Sequence, residues 1–259
     1  MKKNALIRQP AGLGDILWLQ PIVLHLLDNG YEVHFPVADV YYQSIVDHIR
    51  LDRLHWWHVD RDFPFKNMYG PVGIRQTFEN NSLFLYCGFD NLNIANCPIM
   101  LQKYAAFGMP ICDWRKSVRI TRNLEREKIL IDRYGIDNRT LLINSTFGTP
   151  PHYNVKSEDM MKTGSEIWTN IAKKHGFKVL EMEYQTDVDN GFNLFDWIGA
   201  IEICAGIFSV ETSLCYFADM YAPENSILYM FERKRKGIPR NYFKEVALVY
   251  RHPGWNYII

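Results

Sequence analysis

The sequence predicts an α/β protein of two successive halves, each a mainly parallel sheet flanked by helices. Three observations carry this. Short runs rich in Val, Ile, Leu and Phe alternate along the chain with longer stretches of helical periodicity, the pattern of βαβ units. The alternation pauses at a charged helical stretch ending in Gly135-Ile136-Asp137-Asn138 and then restarts, which puts a junction there. The 259 residues suffice for two modest cores without disulfides or metals. The expected layout is two Rossmann-like domains, 1–122 and 140–259, joined by a linker helix over 123–139, with their sheets facing a cleft.

In the first half, strands are expected at 5–8, 32–35, 54–59 and 83–87. Residues 15–28 and 40–50 carry apolar side chains at helical spacing, and Asn29-Gly30 supplies a helix stop. A helix at 99–107 closes this half, and residues 122–134 form the charged helix of the junction. The second half opens with a strand at 141–145, a helix at 166–175, a strand at 178–183 and a helix at 194–204. It continues with a strand at 207–210, a helix at 212–221 and strands near 227–231 and 246–250. Residues 147–164, polar and charged with Gly148 and two prolines, are longer than a plain connection requires. They read equally as a disordered insertion or as a lid over a ligand.

Composition weakens the case for several classes of partner. Lys plus Arg and Asp plus Glu both number 29, so no global field draws the chain to nucleic acid or an anionic membrane, and any such preference must come from a local patch. The five cysteines, Cys87, Cys97, Cys112, Cys204 and Cys215, are odd in number and form no C-x-x-C pair, which fits reduced thiols of a cytoplasmic protein. After Met1-Lys2-Lys3 the apolar stretch is only Ala5-Leu6-Ile7 before Arg8, too short for a secretion signal. The longest apolar run, 16–27, is broken by Gln20, Pro21 and His25 and falls short of the roughly 20 residues that span a bilayer. A soluble, cytoplasmic chain without a transmembrane segment is expected.

The most informative segment runs from Ala5 to Leu17, a strand, a turn with Gly12 and Gly14, and a helix start at Asp15. The glycines allow a tight turn and close approach of a ligand, and Asp15 meets the exposed N–H groups of the helix. It is not a complete dinucleotide fingerprint, because the third glycine position is Leu17, and no Gly-Lys-Ser or Gly-Lys-Thr follows to make a phosphate loop. Taken alone, Asp15 reads as a helix cap. However, Gly14-Asp15-Ile16-Leu17, three further residues and Pro21, followed by Leu24, Leu26 and Leu27, resembles the N-terminal motif of the ADP-heptose:lipopolysaccharide heptosyltransferases. Those are glycosyltransferases of the GT-B fold. The resemblance implies that Asp15 is the general base on the acceptor hydroxyl, with Gly12 and Gly14 in the acceptor-side turn.

A second match lies in the other half, where 195–205 leads into Phe208-Ser209-Val210-Glu211-Thr212-Ser213-Leu214. The family pattern is a strand, then Asp-Thr-Gly-Leu with a histidine soon after. Here the positions hold Glu211, Thr212, Ser213, Leu214 and Tyr216, so Ser213 and Tyr216 depart from the pattern. Physically, a strand running into Thr212-Ser213 at a helix start presents N–H groups and hydroxyls to an anion such as a leaving diphosphate; an ordinary capped helix is the plainer alternative. Asn144, Ser145 and Thr146, after Leu142-Ile143, resemble residues that touch donor phosphates in the family, and Lys156 or Lys162 could stand for its lysine.

Glu183 is placed either to accept from ribose hydroxyls or to end a solvated strand. Arg233, Lys234 and Arg235 begin the one strong basic run, which reads as a solvated loop, a diphosphate clamp or a nucleic-acid contact. His55-Trp56-Trp57-His58 places its histidines on opposite faces of a strand and is read as core and surface. Asp187-Val188-Asp189 falls in a loop of the wrong half for a metal motif, so no metal is expected.

The leading expectation is metal-independent, inverting transfer of a sugar from a nucleotide-diphosphate sugar to an acceptor hydroxyl, the donor being a substrate and no cofactor being needed. The acceptor, glycan, lipid-linked or nucleic acid, stays open. The alternatives are a nucleotide-sugar epimerase of the same layout, a phage-type enzyme that modifies DNA bases, and a degenerate protein that binds a nucleotide or sugar without transfer. Retention of Gly14-Asp15 favours transfer, whereas Ser213 and Tyr216 favour binding alone.

Overall fold

In the computed structural model the described residues are 3–8, 12–58, 74–79, 82–87, 103–104, 107–110, 112–149, 152–158, 160–182, 191–232 and 248–258. The chain divides into two units, Met1–Thr121 and Arg122–Ile259, so the segment expected as a linker, 123–139, belongs to the second unit.

The first unit carries a five-stranded sheet of β1 (Lys3–Arg8), β2 (Tyr31–Val37), β3 (Leu54–His58), β4 (Ile74–Glu79) and β5 (Ser82–Cys87), in the order β3-β2-β1-β5-β4. All neighbours are parallel except β4, which runs antiparallel to β5. Sequence reading missed β4, because Arg75, Gln76, Thr77 and Glu79 give it little apolar periodicity. An edge strand needs only one partner and tolerates such polarity.

The helix expected over 15–28 is two helices, α1 (Leu13–Trp18) and α2 (Gln20–Asp28). Pro21 lacks the N–H that would continue the ladder and clashes with the preceding turn, so the break falls at Leu19. Gln20 Nε2 donates to the Ile16 carbonyl at 3.0 Å across that break. The helix α3 (Asp39–His48) follows β2. Trp18 lies fully buried, stacked on Tyr104 with centroids 4.8 Å apart. The Tyr104 hydroxyl donates to the Trp18 carbonyl at 2.6 Å, and burial, with Cys112 beside it, pushes that hydroxyl far above the usual phenol range. Of the helix expected at 99–107, Lys103 and Tyr104 are described as helical and Phe107 as a turn residue.

The second unit has a fully parallel sheet of β6 (Thr140–Asn144), β9 (Lys178–Glu181), β10 (Gly206–Val210), β11 (Ile227–Phe231) and β12 (Trp255–Ile258), ordered β12-β11-β10-β6-β9. Its helices are α4 (Leu124–Tyr134), α5 (Ser165–His175), α6 (Ile198–Ile203) and α7 (Ser213–Tyr221). Leu141, Ile143, Trp168, Phe208, Val210 and Phe231 form the core between α5 and the sheet. Gly135 and Gly176, with φ of 59° and 66°, close α4 and α5 in the left-handed conformation. Arg126 makes a paired bond to the fully buried Asp196, and Arg122 bonds both Glu127 and Glu202, tying α4 to the turn Leu194–Trp197 and to α6.

Two expectations change here. Within 147–164 the described residues are ordered rather than a disordered insertion: β7 (Thr146–Thr149) and β8 (His152–Lys156) pair as an antiparallel hairpin, and a π-helical turn, Met160–Gly164, leads into α5. The strand near 246–250 is absent from its described part, where Leu248 and Val249 are helical; the last strand is β12. Val249 and Tyr250 are buried consecutively rather than alternately, which a half-buried strand does not do. Asp219 of α7 then accepts from the N–H groups of Arg251 and His252 and from Trp255 Nε1, turning the chain into β12.

Candidate functional site

In the second unit the strands follow the chain order second, first, third, fourth, fifth, so the crossover direction reverses between β6 and β10. In open parallel sheets, ligands sit beyond the carboxyl ends of the strands at such a reversal. Asn144 ends β6 and is fully buried; its Nδ2 donates to Ser209 Oγ at 3.0 Å and to Thr212 Oγ1 at 3.1 Å. Thr146 Oγ1 approaches Asn144 Oδ1 at 3.3 Å. The bonds fasten the end of β6 to the turn between β10 and α7.

Thr212 is the N-cap residue of α7, yet its side chain makes no capping bond; its hydroxyl is instead held by the bond it accepts from Asn144. The backbone N–H groups of Ser213 and Leu214 have no acceptor within the helix, and among the described residues no side chain caps them. A nine-residue helix left so, at the reversal of a parallel sheet, presents donors and the positive end of its dipole to an anion.

The other residues singled out from sequence go elsewhere. Ser145 Oγ donates to Glu181 Oε1 at 2.9 Å, at the end of β9, and Lys156 lies 3.8 Å from the same carboxylate. Lys162 is exposed in the π-helical turn. Glu211 joins β10 to β11 through its N–H and the Phe231 carbonyl. Tyr216 is buried, with its ring edge-on to Tyr250 at 5.1 Å, so its ring serves packing. Glu183, Arg233, Lys234 and Arg235 lie outside the described residues. Ser209 and Glu181 carry no sequence signal of their own: Ser209 lies within an apolar strand, and Glu181 stands two positions before Glu183 in the same polar strand end.

In the first unit, Gly12 rather than Asp15 is the N-cap of α1, which corrects the cap reading of Asp15. Gly12 has φ of −71°, which any residue adopts, and an added Cβ would meet only Tyr41 Oη at 3.6 Å, so a tight turn is not what this glycine provides. Asp15 lies in the first turn of α1, where the helix dipole favours its charge. Its Oδ1 accepts from Lys103 Nζ at 2.6 Å; the Lys103 side chain is 0% exposed and that of Asp15 18%. No periodicity could have linked two residues 88 apart in sequence. The two strand histidines have different neighbours: His55 stacks on His34, and His58 bonds Asp39. Among the described residues no group of three His, Cys, Asp or Glu is placed to hold a metal, and no helix is long and apolar enough to cross a membrane.

No family model matches the chain, and no curated protein matches it in sequence. Solved structures do. A glycosyl transferase family 9 protein from Veillonella parvula matches with a TM-score of 0.52 over 98% of this chain and 94% of its own, at 10% identity. The E. coli ADP-heptose lps heptosyltransferase II matches with a TM-score of 0.55 over 100% of this chain and 90% of its own, at 9% identity. The chain has the fold of these glycosyltransferases. The extent of the match means that a fold resemblance first carried by two short motifs holds along nearly the whole chain, while identity this low leaves residue roles to be argued from geometry.

Proposed function

We propose that the protein transfers a sugar from a nucleotide-diphosphate sugar to an acceptor hydroxyl, with inversion and without a metal or a resident cofactor. The observation that carries this reading is the uncapped start of α7, held open by the Asn144–Thr212 bond at the reversal of a parallel sheet. The leaving diphosphate would accept from the N–H groups of Ser213 and Leu214 as its charge develops, and the helix dipole would stabilise that charge. Asp15 would take the acceptor proton late in an oxocarbenium-like displacement, when the hydroxyl has become acidic. The burial of Cys204 and Cys215, whose thiols are pushed up to about 12, suits a cytoplasmic setting in which they stay reduced.

Binding without transfer is the second reading, favoured by Tyr216, which packs into the core where the resembled family has a histidine.

A thermal-shift screen against UDP, ADP, GDP, CMP and dTDP and their common sugars tests the reading. At saturating ligand, binding adds about 2 to 3 kcal/mol to native stability, which raises the melting temperature by several degrees. The nucleotide sugar that does so should then release its nucleoside diphosphate when an acceptor is supplied, with inverted anomeric configuration in the product. Asn144→Leu, which frees the Thr212 hydroxyl to cap α7, should weaken nucleotide binding by about tenfold in calorimetric titration and cost roughly 1 to 2 kcal/mol of stability in urea unfolding. No shift with any nucleotide would overturn the reading; a shift without release would leave binding alone.

A further inference from the structure

We propose that Lys103 is the positioning residue for the Asp15 base: its buried ammonium clamps one carboxylate oxygen so that the other is presented to the acceptor hydroxyl. The inference rests on the reading of Asp15 as the base.

This part of the fold has an anchor besides the charge at position 103. Tyr104, its neighbour, already anchors the segment by stacking on Trp18 and donating to the Trp18 carbonyl, while its own carbonyl accepts from the N–H groups of Phe107 and Met109. A buried ammonium carries a large desolvation cost, and an apolar side chain of similar volume would fill the space as well or better. Part of that cost is offset by Asp15 Oδ1 at 2.6 Å.

The carboxylate is divided accordingly. Every other residue of α1, namely Leu13, Gly14, Ile16, Leu17 and Trp18, is buried, and Asp15 alone retains exposure. Its Oδ1 is engaged by Lys103, and its Oδ2 makes no hydrogen bond among the described residues. A carboxylate held by one oxygen from within cannot turn freely, so the second oxygen keeps a fixed direction. In the transfer, the acceptor O–H bond breaks with its proton passing to Oδ2, and the freed electron pair forms the bond to the anomeric carbon. The bond from that carbon to the diphosphate oxygen breaks, and its pair leaves on the phosphate. Lys103 exchanges no proton and fixes only the geometry of the base.

The test pairs kinetics with crystal structures of the wild type, Lys103→Met and Lys103→Gln. Misplacing a catalytic group by about 1 Å costs roughly a hundredfold, so Lys103→Met should lower kcat by about that factor while the donor KM stays within about threefold. Lys103→Gln, which keeps a neutral donor, should recover part of the loss. In crystals, Asp15 should hold one rotamer in the wild type and leave it in Lys103→Met. Retention of that rotamer, or a kcat within about threefold of wild type, overturns the proposal. Failure of both variants to fold also overturns it, since the ammonium would then serve folding. If the wild type releases no nucleoside diphosphate, the base reading falls, and the rotamer comparison still decides the clamp.

Discussion

At the scale of single residues, polar groups carry more of this protein than its apolar composition suggests. Asp219 is buried and bonds the N–H groups of Arg251 and His252 at 2.8 and 2.7 Å and Trp255 Nε1 at 3.0 Å. Asp219→Ala strands those donors, so it should cost about 3 kcal/mol or more in urea unfolding, with loss of amide protection concentrated in β12. His34 accepts from Trp57 Nε1 at 3.1 Å and stacks on His55, and burial, then the His55 charge, lower its pKa below 6.5 against a smaller opposing pull from Glu32. Because the native ring resists a proton that the unfolded chain accepts, stability is full above 6.5 and is lost as pH falls towards the lowered value. The melting temperature should therefore drop between about pH 7.5 and about pH 5.5, and His34→Gln should flatten part of that drop. The Lys103–Asp15 pair bears on the design of any activity control. Asp15→Ala leaves a buried ammonium without its carboxylate, so lost activity in that variant counts only alongside a measured melting temperature.

At the scale of elements, hydrophobic period and turn chemistry announced most of the parallel strands and most helices, because strands buried on both faces read as continuous apolar runs. What escaped lacks that signal. β4 is polar, β12 is four residues long, and the hairpin β7–β8 was hidden in a stretch rich in charge and turn residues. The break in the first helix was announced by Pro21 and was still read through. Of the candidate site, the turn at Thr212 and the end of β6 were legible, since a polar residue ending an apolar strand has few structural reasons to be there. The bonds that Asn144 makes to Ser209 and Thr212 bring together residues 65 and 68 positions away, which no local pattern encodes. At the entry to α5, Gly164 lies where an added Cβ would fall 2.6 Å from the Trp168 ring and 2.9 Å from Phe231. Gly164→Ala should therefore overpack the core of the second unit and cost about 1 to 3 kcal/mol, read from the urea midpoint.

At the scale of the molecule, each unit has one distinctive polar feature: the second has the uncapped helix start of α7, and the first has the Asp15 carboxylate bonded by Lys103. The net charge of zero places whatever electrostatic attraction a diphosphate feels in local features such as the start of α7 rather than in a global field. The departures at Ser213 and Tyr216 lie on α7 itself, with Ser213 first in the helix and Tyr216 turned into the core, so neither occupies the Asn144–Thr212 junction that leaves the helix uncapped. The most direct measurement is a crystal structure with the nucleoside diphosphate that gives the largest thermal shift. An anion site at the start of α7 predicts diphosphate oxygens accepting hydrogen bonds from the backbone N–H groups of Ser213 and Leu214, beyond the ends of β6 and β10. A nucleotide seated elsewhere, with the start of α7 untouched, would contradict it.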